Sequence, residues 1–198
     1  MKKRIERAWS KFKAGRMSDH QLVSQVANGA NPLVLQAVTI LQEKESLYDG
    51  SLHGSDLQGA KLQNARMARA SLQGVILKQA NLTGCYLGAT NLEAADLQEA
   101  VIRQANLRDV KLTRANLQGA TLEDAHLANA DFYCANMIQA NLRNANLWGA
   151  RLHAANLTQA DLTGANLQQA QFNTETILPD GTAWTPDVDL SRFIGQDA

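Results

Sequence analysis

The side chains best suited to metal binding or nucleophilic catalysis are few in this sequence of 198 residues. They are His20, His53, His126, His153, Cys85 and Cys134. None forms the closely spaced Cys/His ligand pairs of metal sites, and a metal needs three or four converging ligands. The glycine-rich phosphate loop, the HExxH motif and the GxSxG motif are also missing from the sequence. We therefore predict a protein that is not an enzyme and has no cofactor, metal or small-molecule substrate.

The composition indicates one domain in a reducing compartment. The formal net charge is zero, and no apolar run is long enough to span a membrane. The basic N-terminus, MKKRIERAWSKFKAGR, has no apolar centre or small-residue cleavage site, so we do not expect a secretion signal. Two cysteines 49 positions apart are typical of reduced thiols in a cytoplasmic protein.

The dominant feature is an internal repeat with a period of five that runs without a break from Gly50 to Thr174. Its central position falls on every number ending in 2 or 7, and Leu fills twenty of the twenty-five central positions. Two positions earlier, Ala fills nineteen of the twenty-five, and the position just before the centre is Asn or Asp in thirteen repeats. Each repeat must therefore bury one large and one small apolar side chain, and every repeat must bury them in an equivalent position.

A period of five excludes the two regular backbones. Successive leucines in an α-helix would lie roughly 140° apart and wind around the cylinder. In an extended strand, an odd period would flip each leucine to the opposite face. Gly or Asn often stands two positions after the centre, and both tolerate the positive φ of a type II turn. We predict a solenoid of very short strands that bends once in each repeat.

The tandem Ala-(Asp/Asn)-Leu-x-x pattern resembles the pentapeptide repeat protein family, and the resemblance covers residues 50–174. It implies a β solenoid, a right-handed quadrilateral β-helix in which four pentapeptides make one square coil. Residues 50–174 would then form about six coils. At about 4.8 Å between stacked strands, the rod would be roughly 30 Å long.

The flanking segments break the repeat and are interpreted as caps, because a solenoid exposes apolar surface and strand edges at both ends. Residues 1–46 show the periodicity and capping residues of short helices, and we predict a small N-terminal α-helical cap there. Residues 47–176 are predicted to be the β-helix. Residues 177–198 contain a Pro-Asp-Gly turn and apolar side chains, which predict a C-terminal capping tail. The alternative is that one end pairs two rods, so we expect a monomer or an end-to-end homodimer.

Wrapping the sequence at four pentapeptides per coil places outward side chains in columns. Alternating charges then stack as Lys111, Asp131 and Arg151 and as Arg103, Glu123 and Arg143. Asn116, Asn136 and Asn156 form a third column, suited to side-chain hydrogen-bond ladders. These columns are interpreted as self-neutralising features of a solvated surface.

A few outward residues are bulky, and these are Tyr133, Ile138 and Trp148, with His153 nearby. Because Tyr and Trp are enriched at binding hot spots, we interpret the four as a candidate protein-interaction surface. The alternative interpretation is ordinary surface scatter, since isolated exposed apolar residues are normal. The predicted function is a protein-interaction scaffold with an unidentified partner.

Two other functions were weighed. Some members of the resembled family mimic DNA and bind DNA gyrase, which requires a strongly negative rod. Residues 50–174 instead carry nine Asp/Glu and ten Lys/Arg, which disfavours mimicry and nucleic-acid binding. Residues 1–16 carry seven Lys/Arg and one Glu, so an amphipathic helix there would suit an anionic membrane surface. A solvated helix face is the preferred interpretation of that segment, and membrane association is disfavoured.

Overall fold

The computed structural model describes Ser18, residues 37–39, 41–43, 45 and 47–195. Residues 37–39 and 41–43 are helical, and Ala37 and Leu41 are buried. The rest of the predicted N-terminal cap, including the basic segment 1–16, lies outside the described residues.

From Asp56 onward the chain winds into a right-handed quadrilateral β-helix of about six coils. Each strand is a single residue that forms a parallel β-bridge with the residue 20 positions later, from Asp56↔Ile76 through Arg151↔Gln171. Four bridges fall in each coil, one on each side of the square. The period inferred from the family resemblance is therefore confirmed.

The four sides are named by their bridge residues. The first face carries residues 56, 76, 96, 116, 136 and 156, and the second carries 61, 81, 101, 121, 141 and 161. The third face carries 66, 86, 106, 126, 146 and 166, and the fourth carries 71, 91, 111, 131, 151 and 171. Each face also includes the residue before its bridge residue and the three after it, which complete the pentapeptide. The first and third faces are opposite each other, because half a coil separates them.

The interior is filled by the central residues and by the small residues two positions before them. Central residues from Leu52 to Leu162 are all buried, including the bulky Phe132. Small partners such as Ala145 are equally inaccessible. Where the small residue is polar, its side chain can donate to a carbonyl of the preceding coil, as Thr90 Oγ1 does to Met67 O at 2.8 Å. The shaft is therefore closed to solvent, and among its described polar side chains only Ser55 Oγ has no hydrogen-bond partner.

Each corner is a tight turn with positive φ at its third residue. Every position two after the centre, from Gly54 to Gln169, has positive φ, although most of these residues are not glycine. The turn closes when the next small residue donates its N–H to the central carbonyl, as Ala135 does to Phe132 at 2.9 Å. This is the bend that the period of five requires.

The Asn or Asp before the centre has a structural role that explains its frequency. Its side-chain oxygen accepts the backbone N–H two residues later, for example from Ile138 to Asn136 at 3.2 Å. The same bond occurs at all thirteen repeats with Asn or Asp at this position. Such Asx turns satisfy a backbone donor at the corner that points away from the neighbouring coils.

The C-terminal end of the rod departs from the repeat by one residue. Asn156 bridges to Ile177, 21 positions later, and Ile177 also forms an antiparallel bridge with Ala183. Trp184 stacks on Phe172 with ring centroids 5.9 Å apart. A short α-helix, Ser191–Ile194, follows, and Phe193 packs against the apolar core. Aromatic and aliphatic side chains of the tail thus lie against the last coil.

Candidate functional site

Charged side chains on the second face pair along the rod. Arg103 contacts Glu123 at 3.1 Å, as the sequence columns predict. Arg143 contacts Asp161 at 3.3 Å, so it turns toward the next coil and not toward Glu123. Both pairs are substantially exposed, so each stabilises the fold by about 0–1 kcal/mol.

Asn116 and Asn136 of the first face form part of the predicted side-chain ladder, whereas Asn156 Oδ1 accepts a hydrogen bond from Thr158 Oγ1 at 2.6 Å. Asn136 Nδ2 donates to Asn116 Oδ1 at 3.0 Å, and Asn116 Nδ2 donates to Asp96 Oδ1 at 3.4 Å. Because these amides also form Asx turns, their positions are fixed on two sides. The polar groups of Asn116 and Asn136 are therefore held in place on the first face.

Two of the four predicted interaction residues lie together on the fourth face. Tyr133 and His153 occupy one column, and Arg151 connects them. The Arg151 guanidinium lies 4.7 Å from the centroid of the Tyr133 ring, and its Nε donates to His153 Nδ1 at 3.5 Å. Arg151 also contacts Asp131 at 3.3 Å. The result is a preorganised group of aromatic and charged side chains.

The other two predicted residues lie on different sides of the rod. Each repeat advances the chain by one side, so Ile138 is on the first face and Trp148 on the third. Both faces adjoin the fourth face, but they are opposite each other. A flat partner cannot cover all four residues at once, and the structure brings together only Tyr133 and His153.

The two cysteines are free thiols in different surroundings. Cys85 is buried at a small-residue position, and its Sγ donates to Leu62 O at 2.8 Å. Burial raises the pKa of the Cys85 thiol to about 12, which suppresses the reactive thiolate. Cys134 is exposed at a turn position beside Tyr133, whose pKa is raised, mainly by a hydrogen bond with Cys134.

Between residues 47 and 195 no three His, Cys, Asp or Glu side chains are grouped closely enough to hold a metal ion. A polar groove on the first face is lined by Gln58, Lys78, Gln79, Gln98 and Glu99. These side chains contact one another or their neighbours, as Gln79 Nε2 donates to Glu99 Oε2 at 2.9 Å. Among the described helices, none is both long and apolar enough to cross a lipid bilayer.

Tyr86 is not among the residues predicted from the sequence, although it is the most exposed large apolar side chain of the repeats at 50 %. It lies on the third face, with the Arg66 guanidinium 5.6 Å from its ring centroid. Trp148 lies on the same face and is 38 % exposed. Wrapping the sequence at four pentapeptides per coil also places both aromatic residues on one side of the rod, although they are 62 positions apart in sequence.

Solved structures similar to this chain include several repeat proteins. A trypsin-treated variant of QnrB1, a plasmid-mediated fluoroquinolone resistance protein, is 18% identical, with a TM-score of 0.41 over 72% of this chain and 77% of that chain. HetL, a pentapeptide repeat protein involved in heterocyst differentiation regulation from the cyanobacterium Nostoc sp. strain PCC 7120, is 25% identical. Its TM-score is 0.23, over 67% of this chain and 86% of that chain.

A third relative is a pentapeptide repeat protein from the thylakoid lumen of Arabidopsis thaliana. It is 27% identical, with a TM-score of 0.23 over 59% of this chain and 68% of that chain. Comparison with curated protein sequences found no match.

The sequence profile of pentapeptide repeats matches this chain in eight copies. The matched segments are residues 51–88, 76–114, 111–149 and 140–174, which together span well over half of the chain. The bridges, turns and buried central residues described above fall in the same segments. The chain therefore belongs to the pentapeptide repeat family.

Proposed function

We propose that this protein is a non-enzymatic scaffold that binds another protein through the outer surface of its β-helix. The proposal rests on one observation: the side chains are divided between a closed apolar interior and four regular outer faces. The interior offers hydrocarbon groups that are out of reach of a ligand. Recognition would rest on side chains at bridge and turn positions, which face solvent in every coil.

The regular hydrogen bonding of the rod supports this role. Backbone bonds join each coil to the next, and polar side chains such as Asn116 and Asn136 are held on two sides. A partner that binds such a surface orders few additional groups. The entropic cost of association is then small compared with that of a flexible surface.

Photo-crosslinking from each face tests the proposal. Benzoylphenylalanine would replace one turn residue on each face: Gln118 on the first, Arg103 on the second, Gln168 on the third and Thr113 on the fourth. None of these residues has positive φ, so the large side chain adds no backbone strain. In the source cells, we expect the same protein to be captured from one face or two adjoining faces, and not from the others. Capture of nothing from any face, or of the same abundant proteins from all four, would reject the scaffold function.

DNA mimicry is the alternative, and the outer charges weigh against it. Glu123 lies against Arg103 and Asp131 against Arg151, so negative potential is cancelled locally. A rod that replaces the phosphate backbone needs uninterrupted negative charge. Inhibition of DNA supercoiling by purified gyrase at stoichiometric concentrations of this protein would overturn the scaffold proposal in favour of mimicry.

We also propose a cytoplasmic monomer or end-to-end homodimer. The two free thiols, Cys85 and Cys134, support a reducing compartment. The stacking of Trp184 on Phe172 covers part of the last coil, which favours the monomer. Cell fractionation and sedimentation equilibrium would check the two statements. One relative comes from a thylakoid lumen, so a lumenal fraction should be included in the cell fractionation. Recovery of this protein from that fraction would contradict the cytoplasmic location.

A further inference from the structure

The third face is the most open side of the rod in its first coils. Its successive bridge residues Arg66, Tyr86, Asn106 and His126 are all exposed. On the second face, the bridge residues from 81 to 141 are all half-buried. The position after the centre also differs, because the third face has small residues there in three of these four coils, namely Ala68, Gly88 and Ala128. Asn106 is exposed as well, although the larger Arg108 follows in its repeat.

Gly88 shows that this openness is not required by the backbone. Its φ lies outside the left-handed region, so the turn does not need glycine. A Cβ at Gly88 would have its nearest neighbour, the Arg108 carbonyl oxygen, at 3.7 Å, which is ordinary van der Waals contact. A larger residue would therefore fit the fold at this position, two residues after Tyr86.

The third face also has the largest excess of positive charge. It carries Arg66, Arg69 and Arg108 against a single carboxylate, Asp109. Arg66 lies over the exposed Tyr86 ring, and the Arg108 side chain is 67% exposed although it contacts Asp109 at 3.4 Å. This face therefore combines cationic donors with an accessible aromatic surface.

The opposite face has the opposite charge in the same coils. The first face carries Asp56, Asp96 and Glu99 against a single cation, Lys78. An anionic partner is attracted to the third face and repelled from the first, so the charge distribution sets the side from which it approaches.

The length of the surface fits a short extended peptide. Arg66 and Trp148 lie four coils apart on the third face, which is about 19 Å at about 4.8 Å per coil. An extended chain covers that length with about six residues at about 3.3 Å each. The arginines lie toward one end and Trp148 toward the other, so such a peptide would be acidic at one end and apolar at the other.

From these observations we propose that the third face binds an extended acidic segment of a partner protein. The arginines form charge-assisted hydrogen bonds with its carboxylates, Tyr86 contacts the aliphatic parts of its acidic end, and Trp148 contacts its apolar end. This inference rests on the proposed scaffold function and names the face and the class of partner. A single-stranded nucleic acid is the less favoured occupant, because the excess charge is only three arginines against one aspartate and the opposite face repels phosphates.

The test measures binding of a fluorescent eight-residue peptide, four glutamates followed by two glycine–leucine pairs, to the full-length protein. We expect at least tenfold weaker binding when glutamine replaces the glutamates of the peptide. The affinity should also fall as salt is raised from about 50 to about 300 mM, because screening becomes strong over about that range. The double variant Arg66→Gln, Arg108→Gln should weaken binding at least tenfold. Gly88→Gln, which blocks the space beside Tyr86, should weaken it by a similar factor.

The matched control is the double variant Arg103→Gln, Arg143→Gln, which removes two arginines from the second face. It should change the affinity less than twofold, and circular dichroism should show that all variants keep the wild-type fold. Equal weakening by both double variants, or no binding of the glutamate peptide at 5 mM, would overturn the proposal. Tighter binding of a twelve-nucleotide single strand through Arg66 and Arg108 would replace the acidic peptide with nucleic acid.

The photo-crosslinking result distinguishes a failure of the third-face proposal from a failure of the scaffold function. If the photo-crosslinkers capture a partner only from another face, the scaffold function stands and the third-face proposal fails. If no face captures a partner, both fail.

Discussion

The side-chain oxygen of Asn141 accepts a hydrogen bond from the backbone N–H of Arg143, two residues later, at 3.0 Å. Two coils earlier in the same column lies Val101, whose side chain has no acceptor for the N–H of Arg103. The column thus contains a natural comparison between a corner with this bond and a corner without it.

Exchanging the two residue types should change stability in opposite directions. Asn141→Ala should lower the free energy of unfolding by about 1 kcal/mol, because the Arg143 N–H loses its acceptor. Val101→Asn should raise it by about 0.5 kcal/mol, since it supplies one. Urea denaturation of both variants checks the signs, and a stabilising Asn141→Ala would show that the Asx bond does not hold the corner.

Packing in the shaft should tolerate no large side chain at an alanine position. Ala145 is fully buried, and Ala145→Trp should destabilise the fold by at least about 3 kcal/mol through overpacking. Arg143→Trp is the control, because residue 143 is exposed and its ion pair stabilises the fold only slightly. Thermal denaturation of both variants makes the comparison, and equal melting temperatures would contradict the assignment of the interior.

The turn conformation predicts opposite effects of two small substitutions. Gly149 has φ 65°, and a Cβ there would lie 2.7 Å from Asn129 Oδ1. Gly149→Ala should therefore cost about 1–2 kcal/mol. Ala94 has φ 54°, and Ala94→Gly should stabilise by about 0.5 kcal/mol, because relief of strain exceeds the entropic cost of glycine. Chemical denaturation measures both, and the same sign for the two changes would argue against strained corners.

Asp161 should titrate below the ordinary aspartate range. Its pKa is lowered mainly by the hydrogen bond from the Thr163 side chain, helped by the Thr163 N–H and by Arg143, against a smaller opposing effect of burial. Since the folded pKa is below the unfolded value of about 3.9, the stability that Asp161 contributes is complete above about pH 4. That contribution is lost as the pH falls through the folded pKa.

Carbon NMR titration of the Asp161 carboxyl measures this directly. Thr163→Val should raise its pKa more than Arg143→Gln does, because the hydroxyl bond is the larger cause. A larger effect of Arg143→Gln would show that the ion pair dominates.

Much of the fold was predictable because the repeat imposes the same physical constraint again and again. A leucine in every repeat must turn inward, and only a corner in each repeat allows it. The number of sides came from the family resemblance, since bending alone does not fix the angle. The Asx bond of Asn141 was not foreseen, because an Asn or Asp preference at an outward position suggests ladders as readily as turns.

The candidate surface was less predictable, because neighbours on a rod are separated in sequence by a full coil of four repeats and not by one repeat. Tyr133 and His153 obey that rule and lie together. Ile138 and Trp148 are close to them in sequence, but one quarter-turn per repeat carries them to other faces. Tyr86 is far from this cluster in sequence and lies on the third face, the same side of the rod as Trp148.

The central claim is that four repeats make one coil, so that positions one coil apart are neighbours and positions two repeats apart are on opposite sides. Cys134 allows a direct test, because Arg114 occupies the same turn position one coil earlier, with its N–H bonded to Tyr133 O at 2.8 Å. Coils stacked at about 4.8 Å bring these Cα atoms within the range of roughly 4.4–6.8 Å that is usual for disulfides.

Under mild oxidation, Arg114→Cys should form an internal disulfide with Cys134, measured by mass spectrometry of the intact protein and its peptides. Asp124→Cys is closer to Cys134 in sequence but half a coil away, and it should not form one. Rapid crosslinking of the first variant alone is expected if four repeats make one coil. Crosslinking of Asp124→Cys at the same rate, or none for Arg114→Cys, would show a different number of repeats per coil.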